Sequence, residues 1–395
     1  MKKLLQTMIF LLILWPLYPL KNGFPEEFAV PHSGSPYRSI DELANNEILH
    51  LPTGIKVNFN QMLDAISSSQ VIYIGETHDN TEAHRVQLEI IKDLIRRFPG
   101  KISVGMEMFR RSTQVNLDLW NQNKLSLRKF KKLFRKDWGH GYPLYQPIFD
   151  LLQKHHAPLI GLKSSKKVED LFRKNNSSDE NNFPDIDSND IYHRPFSMSI
   201  FGGHQAMEQP YRMLLLWEET MAQTVAEFLK NPINMNSKLV VLAGGFHVQY
   251  GFGIPKRAFR RIPHAYSIVL PTVTELPPEL EHREMDIEHV SIPLYSGDYA
   301  WKLQYKILQE KKIKLGVMLE NDEDTVLIKS VAKNSNAERA GLKKGDLILA
   351  MDEIELMDLG DLIDRLQEKN LDDRAQLLVK RGPQEITIEI HFLET

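Results

Sequence analysis

Short apolar runs alternate with amphipathic stretches from residue 51 to about residue 305 of this 395-residue chain. Residues 71–74 form a continuous apolar run, which is typical of a strand buried on both faces. Apolar residues then recur at helical spacing over residues 80–98. The same patterns predict strands at residues 102–104, 159–160 and 239–243, and a long helix at residues 211–229. This order predicts an α/β fold with a mostly parallel sheet flanked by helices.

The pattern changes after residues 310–314, where short strands replace the alternation of strand and helix. Strands are predicted at residues 326–331, 376–379 and 386–392, together with one helix near residues 359–367. We therefore predict a small, mainly β domain over residues 312–395, following an α/β domain over residues 51–305. Residues 24–50 are rich in proline and turn-forming residues and are the predicted linker before the α/β domain.

The first 23 residues have the pattern of an export signal. Lys2 and Lys3 precede an apolar run at residues 8–15, and Pro16 and Pro19 follow it. The run is shorter than the ~18–20 residues that span a membrane comfortably, which favours a signal peptide. No small-residue cleavage site stands out, so an uncleaved segment that associates with the membrane is the alternative. We predict an exported protein that is periplasmic or associated with the cell envelope.

The composition of the chain excludes several kinds of functional site and partner. The chain has no cysteine, which excludes disulfides, thiolate metal sites, a cysteine nucleophile and lipid attachment to an N-terminal cysteine. Its 49 Lys and Arg against 52 Asp and Glu give a formal net charge of −3, and we expect no nucleic-acid partner. Basic residues cluster at residues 124–136, which favours a solvated helix face over a surface for anionic lipid or haem propionates.

Three predicted strands are followed by residues that can bind a metal or transfer protons. Glu76 and His78 follow the first strand, Glu107 follows the second and His247 follows the strand at residues 239–243. Because ligands of open α/β sheets bind at the carboxyl ends of the strands, we expect these side chains to share one crevice. Two imidazoles with one or two carboxylates suit Zn, Mn or Fe. Glu76 or Glu107 would then activate a metal-bound water for hydrolysis.

A structural alternative accounts for the same residues. In this alternative, His78 and His247 hydrogen-bond to loop backbones, and Glu107 pairs with Arg110 or Arg111. Periodicity alone does not separate the two interpretations.

Three further side chains are candidates for the crevice. His84 lies in the helix that follows His78, about one turn into it. Tyr142 and Tyr145 lie beside two glycines, and a phenolate is a ligand that suits ferric haem. The alternative is a surface histidine and tyrosines that only pack.

Five motifs occur together in the order of a known family. They are Gly-Glu-Thr-His-Asp at 75–79, Gly-Met-Glu-Met-Phe at 105–109, Trp-Glu-Glu-Thr-Met-Ala at 217–222, Ala-Gly-Gly-Phe-His at 243–247 and Gly-Asp-Tyr-Ala-Trp at 297–301. With them, residues 50–305 resemble the ChaN-like haem-binding family of the Tiki superfamily. The resemblance implies an envelope protein of haem or iron uptake that forms a homodimer and ligates haem through a tyrosine. The haem-binding candidates here are Tyr142, Tyr145 and His84.

The resemblance also implies kinship with metal-dependent hydrolases that use paired Gly-x-x-His motifs, here residues 75–78 and 244–247. A hydrolase that depends on a divalent metal, such as a peptidase, is therefore the alternative function. The chain departs from the family in two places. It has no cysteine for lipid attachment, and Lys163 stands where members often have asparagine.

The C-terminal segment resembles a PDZ domain. Leu315, Gly316, Val317 and Met318 fit the carboxylate-binding loop, and residues 340–349 fit the turn and strand that follow. Main-chain amides of such a loop can bind the terminal carboxylate of a peptide that pairs with the exposed strand edge. We therefore predict a peptide or protein C-terminus as partner. A non-catalytic envelope adaptor is the third hypothesis, and a β-domain that only packs against the first domain is the structural alternative.

Overall fold

The computed structural model describes residues 40–174, 183–200, 208–283, 292, 294–308, 313–320 and 326–394. The predicted export signal and residues 24–39 of the predicted linker lie outside these ranges. No helix within them has the length and apolar character needed to cross a membrane.

Eight strands form the main sheet of the described chain. In chain order they are β1 (Ile48–His50), β2 (Ile55–Val57), β3 (Val71–Glu76), β4 (Ile102–Arg110), β5 (Leu159–Lys163), β6 (Lys238–Gly244), β7 (Tyr266–Thr272) and β8 (Tyr299–Lys302). Their spatial order is β2-β1-β8-β7-β3-β6-β4-β5. The strands from β8 to β5 run parallel, and β1 pairs antiparallel with β8 and β2. The predicted mostly parallel sheet is confirmed.

Helices cover both faces of this sheet. They are α1 (Phe59–Ile66), α2 (Thr81–Arg97), α3 (Gln114–Asn121), α4 (Leu127–Asp137), α5 (Tyr142–Lys154), α6 (Lys166–Arg173), α7 (His193–Ile200), α8 (Glu208–Lys230) and α9 (Ile254–Arg261). Neighbouring residues of β3 point to opposite faces. Ile72 and Ile74 pack in one apolar core, whereas Val71 and Tyr73 pack in the other. Because helices cover both faces of the sheet, the polar side chains of a functional site can lie together only at the ends of the strands.

A smaller, mainly β unit follows. Its strands are β9 (Val317–Leu319), β10 (Ile328–Val331), β11 (Leu347–Met351), β12 (Ile354–Glu355), β13 (Arg374–Arg381) and β14 (Gln384–His391), and its helices are α10 (Asn336–Arg339) and α11 (Leu359–Gln367). β9 and β10 form a two-stranded sheet, and the remaining four form an antiparallel sheet in the order β12-β11-β13-β14. This unit has its own apolar core. The predicted small β domain is confirmed.

The close packing of β5 on β4 depends on Gly161. A Cβ atom at this position would lie 2.5 Å from the main-chain oxygen of Arg110, which cannot move without disturbing β4. We expect Gly161→Ala to lower the free energy of unfolding by about 1–3 kcal/mol. Urea denaturation followed by tryptophan fluorescence measures this loss, because all five tryptophans precede residue 302.

Gly245→Ala is the matched control. A Cβ atom there meets its nearest neighbour at 3.6 Å, which is an ordinary contact. We expect this variant to unfold close to wild type. Equal destabilisation by the two substitutions would contradict the packing described for β5.

Candidate functional site

Three neighbouring strands, β3, β6 and β4, end side by side. Gly244, the last residue of β6, is in register with Glu76 of β3. Its amide donates a hydrogen bond of 2.9 Å to Oε2 of Glu107 on β4. A Cβ atom on Gly244 would lie 3.1 Å from the ring of His78 and 3.6 Å from the ring of His247. Glycine at the end of the central strand therefore lets the two imidazoles approach each other.

The buried carboxylate of Glu76 organises the first half of the site. It accepts hydrogen bonds from Nδ1 of His78 at 2.8 Å, from the hydroxyl of Tyr145 at 2.5 Å and from Nε2 of Gln87 at 2.7 Å. Burial raises the pKa of Glu76, but the hydrogen bond from His78 and the charge of His84 outweigh burial and lower it. Glu76 is therefore an ionised acceptor that holds the ring of His78 in place.

His78 is the accessible imidazole of the site, with a side chain 45% exposed. Its ring contacts Trp138 edge to face, with ring centroids 4.9 Å apart. Burial lowers the pKa of His78, but the hydrogen bond to Glu76 outweighs it, so the pKa lies above its usual value. Because Nδ1 is held by Glu76, Nε2 is the nitrogen directed over Gly244 into the crevice.

His247 lies between two buried carboxylates. Its Nδ1 is 3.1 Å from Oε1 of Glu218, and its Nε2 is 3.4 Å from Oε1 of Glu107. Burial alone lowers the pKa of His247, but Glu107 and Glu218 outweigh burial and raise it to about 10. The pairs with histidine hold the pKa values of both carboxyls well below their usual range despite burial. Glu218 also contacts His193 at 2.7 Å and Arg257 at 3.4 Å, so the charged network continues into the core.

The predicted metal site receives no support from this arrangement. The ring nitrogens of His247 face Glu218 and Glu107, and the carboxylate of Glu76 faces His78. Across the described ranges, no group of three or more His, Asp or Glu side chains is placed to hold a metal ion. The sequence pattern brings the residues to one edge, where they pair with one another.

The structural alternative for Glu107 is also not what the structure contains. Arg110 pairs with Glu169 at 2.7 Å, and Arg111 pairs with Glu227 at 2.7 Å. Glu107 instead contacts His247 and the amide of Gly244.

The two candidate tyrosines lie inside the protein. Tyr145 is fully buried and donates its hydroxyl to Glu76. Tyr142 is 6% exposed and packs against Phe134 and Phe149, and its hydroxyl has no hydrogen-bond partner among the described residues. Burial raises the pKa of both hydroxyls. Neither tyrosine presents a phenolate at the open edge, so their role as haem ligands stays a prediction that this geometry does not favour.

His84 is also enclosed. It is 4% exposed, its Nδ1 lies 3.1 Å from Oε1 of Gln87, and its Nε2 lies 3.0 Å from the carbonyl oxygen of His78. Both ring nitrogens are thus engaged, and the side chain supports the loop that carries His78.

Sequence reasoning gave no role to three residues at this edge. Lys163 ends β5, and its Nζ lies 5.2 Å from the ring centre of Trp138 and 4.5 Å from that of Trp217. The sequence does contain an indication of a role for Glu218, because two acidic residues interrupt an apolar stretch of α8. It contains no such indication for Trp138, because only tertiary packing brings this residue, which follows α4, to His78.

The fold and site define an α/β protein with two imidazole–carboxylate pairs at the carboxyl edge of its sheet. A family model described as "Haem-binding uptake, Tiki superfamily, ChaN" matches residues 62–258. A PDZ domain model matches residues 314–392. The α/β domain therefore belongs to the ChaN-like haem-binding family, and the C-terminal unit is a PDZ domain.

Solved structures are similar to each part. The structure described as cofacial heme binding to ChaN of Campylobacter jejuni is 16% identical, with a TM-score of 0.50, and the match covers 65% of this chain and 98% of that one. This likeness shows the fold. The serine endoprotease from Yersinia pestis is 23% identical over 20% of this chain and 28% of that one, with a TM-score of 0.19. The HtrA3 PDZ domain bound to a phage-derived ligand is 20% identical over 20% of this chain and 84% of that one, with a TM-score of 0.18. No curated protein sequence matches the chain.

The two carboxylates predict the titration of His247. Glu218→Gln removes one of the two negative charges that lie beside the ring of His247. We therefore expect the pKa of His247 to fall from its value of about 10. Histidine-resolved NMR titration measures this shift. Because the folded pKa exceeds the ordinary value of 6.5, this contribution to stability is complete below about pH 6.5 and is lost as the pH rises towards 10.

Glu227→Gln on the same helix is the control, because Glu227 is exposed and pairs with Arg111. It should leave the titration of His247 unchanged. A wild-type His247 that titrates near pH 6.5 would contradict the two-carboxylate environment.

Proposed function

We propose that the α/β domain binds haem at the carboxyl edge of its sheet, where His78 would ligate the iron. The observation that carries the proposal is an exposed imidazole whose Nδ1 is held by the buried carboxylate of Glu76. Histidines that ligate metals commonly donate their other ring hydrogen to a carboxylate, which fixes the ring and raises its basicity. Nε2 of His78 is then the ligand atom, after release of any proton it carries.

The surroundings of His78 fit a haem. Trp138 provides an apolar surface beside the imidazole for the porphyrin. The ammonium of Lys163, held between two indole rings, provides a positive charge for a propionate. Bound haem supplies a redox-active iron. The part of this chain is to ligate the iron, cover one face of the ring and balance its negative charge.

A role in haem or iron uptake at the cell envelope is part of the same proposal. It is supported by the family description and by the export pattern of residues 1–23. An open edge suits uptake, because a ligand held on a surface can be received and passed on. The homodimer and the association with a membrane through the N-terminal segment belong to this proposal too, and they rest on the resemblance and on that segment.

We also propose that the PDZ domain binds the C-terminus of a peptide or protein at Leu315, Gly316, Val317 and Met318. Gly316 has a φ of 81°, and a Cβ atom there would collide with Ser335. The carbonyls of Leu315 and Gly316 accept hydrogen bonds from the amides of Ala337 and Ala332, which fixes the loop. Among the described strands, β9 pairs only with β10, so its other edge is available to an added strand.

Haem titration tests the ligand. We expect wild-type protein to develop a Soret band on addition of ferric haem, and His78→Ala to lose at least tenfold in affinity because the axial bond is gone. Lys163→Gln should weaken binding by a smaller factor, since it removes one charge contact. Absorbance titration gives the affinities, and the visible spectrum distinguishes imidazole from phenolate ligation.

Tyr142→Phe is the control for this experiment, because it removes a buried hydroxyl outside the Glu76 network. Its Soret band should match that of wild type. If Tyr142→Phe or Tyr145→Phe abolishes the band while His78→Ala retains it, the proposed ligand is wrong.

Terminal-carboxylate recognition is tested with peptides selected on this protein from a displayed library of random C-terminal sequences. Amidation of the selected peptide should weaken binding at least tenfold, because the loop amides lose their charged acceptor. Gly316→Ala should weaken binding as well, since the loop must shift away from Ser335. Fluorescence polarisation measures both effects.

Gly382→Ala is the matched variant for the loop, because Gly382 also has a positive φ, of 58°, but has no atom within 4 Å of its would-be Cβ. It should bind the peptide normally. Equal affinity for the acid and the amide would rule out terminal-carboxylate recognition.

A further inference from the structure

The basic face of α4 is covered by the PDZ domain. Across the domain boundary, four basic residues of α4 face three carboxylates at the start of α11, namely Arg128, Lys131, Lys132 and Arg135 against Asp358, Asp361 and Asp364. We call these seven residues the interdomain clamp. The basic stretch expected to be a solvated helix face is thus largely an interdomain surface, which helical periodicity could not reveal.

Arg135 is the centre of the interdomain clamp. Its Nη1 lies 3.0 Å from Oδ2 of Asp364, and its Nη2 lies 3.5 Å from Asp358 and 4.0 Å from Asp361. The guanidinium lies so close over Gly360 that any side chain there would collide with it. The two helices are therefore complementary in shape as well as in charge.

The remaining pairs extend the interdomain clamp along both helices. Nε of Arg128 donates to Oδ2 of Asp361 at 2.9 Å, and its guanidinium also donates to the carbonyl of Glu355 at 2.7 Å. Nζ of Lys132 lies 3.3 Å from Asp358. The side chains of Asp358 and Asp361 are only 8% and 9% exposed beneath these cations, and each also accepts a hydrogen bond from a main-chain amide of its own domain.

Helix α11 contacts α4 and also packs on the apolar core that underlies β9. Its three aspartates are spaced three residues apart and face α4, whereas Leu362 and Leu366 pack into the PDZ core. Val317 and Leu319 of β9 pack against the same core. A peptide that adds to β9 would therefore pack on the same core as α11, while α4 holds the acidic side of α11.

Helix α4 in turn touches the surroundings of His78 at two points. Its residue Phe134 packs against Tyr145, with ring centroids 5.5 Å apart, and Tyr145 donates to Glu76. Trp138, which ends the helix, contacts His78 directly. The position of α4 thus sets two of the contacts that orient the proposed haem ligand.

We propose that a peptide bound in the PDZ groove strengthens haem binding at His78, and that the coupling passes through the interdomain clamp. The inference rests on the proposed function of both sites. A bound peptide braces α11 against α4 and so holds Trp138 more firmly beside His78. Ordering a structural element costs conformational entropy. When the first ligand has already ordered an element that both sites share, the second ligand binds without that cost, which gives positive cooperativity. Thermodynamic linkage requires haem to strengthen peptide binding by the same factor.

The test uses the full chain and a peptide selected from the displayed library. Haem affinity is measured by Soret titration with and without saturating peptide, and peptide affinity by fluorescence polarisation with and without haem. We expect haem to bind about fivefold more tightly or better in the presence of peptide, with an equal factor in the reverse measurement.

Variants that remove charges from α4 test whether the coupling passes through the interdomain clamp. The double variant Arg128→Ala with Arg135→Ala should bind each ligand alone but show a coupling factor near one. The matched control is Lys129→Ala with Lys136→Ala, which removes the same charge from exposed positions of the same helix. It should keep the coupling. Tryptophan fluorescence and circular dichroism check that both variants are folded.

The outcomes separate this inference from the proposed function. If wild-type protein does not bind haem or the peptide alone, the proposed function fails and the inference fails with it. If both ligands bind but the affinities are independent, or peptide weakens haem binding, the inference is overturned while the proposed function stands. Coupling that survives loss of Arg128 and Arg135, or that is lost equally in the control, overturns the path through the clamp.

Discussion

The absence of a side chain at Gly244 is the constraint on which the site depends. The residue ends the central strand of three, with Glu76 in register on one side and Glu107 bonded to its amide on the other. A methyl group there would press against the ring of His78. Two imidazole–carboxylate pairs can therefore share one edge. The pairs differ in burial: one histidine is exposed and positioned, whereas the other is enclosed as a cation that joins two carboxylates.

Much of the fold was predictable, because the buried parallel strands are continuous apolar runs and the helices are amphipathic. The sequence also placed Glu76, His78, Glu107 and His247 at strand ends. It could not give the strand order, in which β6 lies between β3 and β4, and therefore could not show which histidine pairs with which carboxylate. Strands β1, β2 and β8 are two or three residues shorter than β3, and β7 contains a proline, so their patterns are weak.

The site and the PDZ domain meet at α4. One face of this helix packs its phenylalanines into the aromatic core beneath Glu76 and Tyr145. The opposite face carries cations that hold the acidic helix of the PDZ domain. Neither role is visible in the helical pattern alone, because a basic amphipathic helix can face solvent, lipid or a second domain. The ion pairs with the aspartates of the PDZ domain show that here the partner is a second domain.

The proposed haem site places the iron at Nε2 of His78. Anomalous X-ray scattering at the iron absorption edge, measured on crystals of the haem complex, locates that iron. We expect a peak at bonding distance from Nε2 of His78, beside Trp138 and Lys163. A peak at Tyr142 or Tyr145, or one remote from the carboxyl edge of the sheet, would contradict the proposed site.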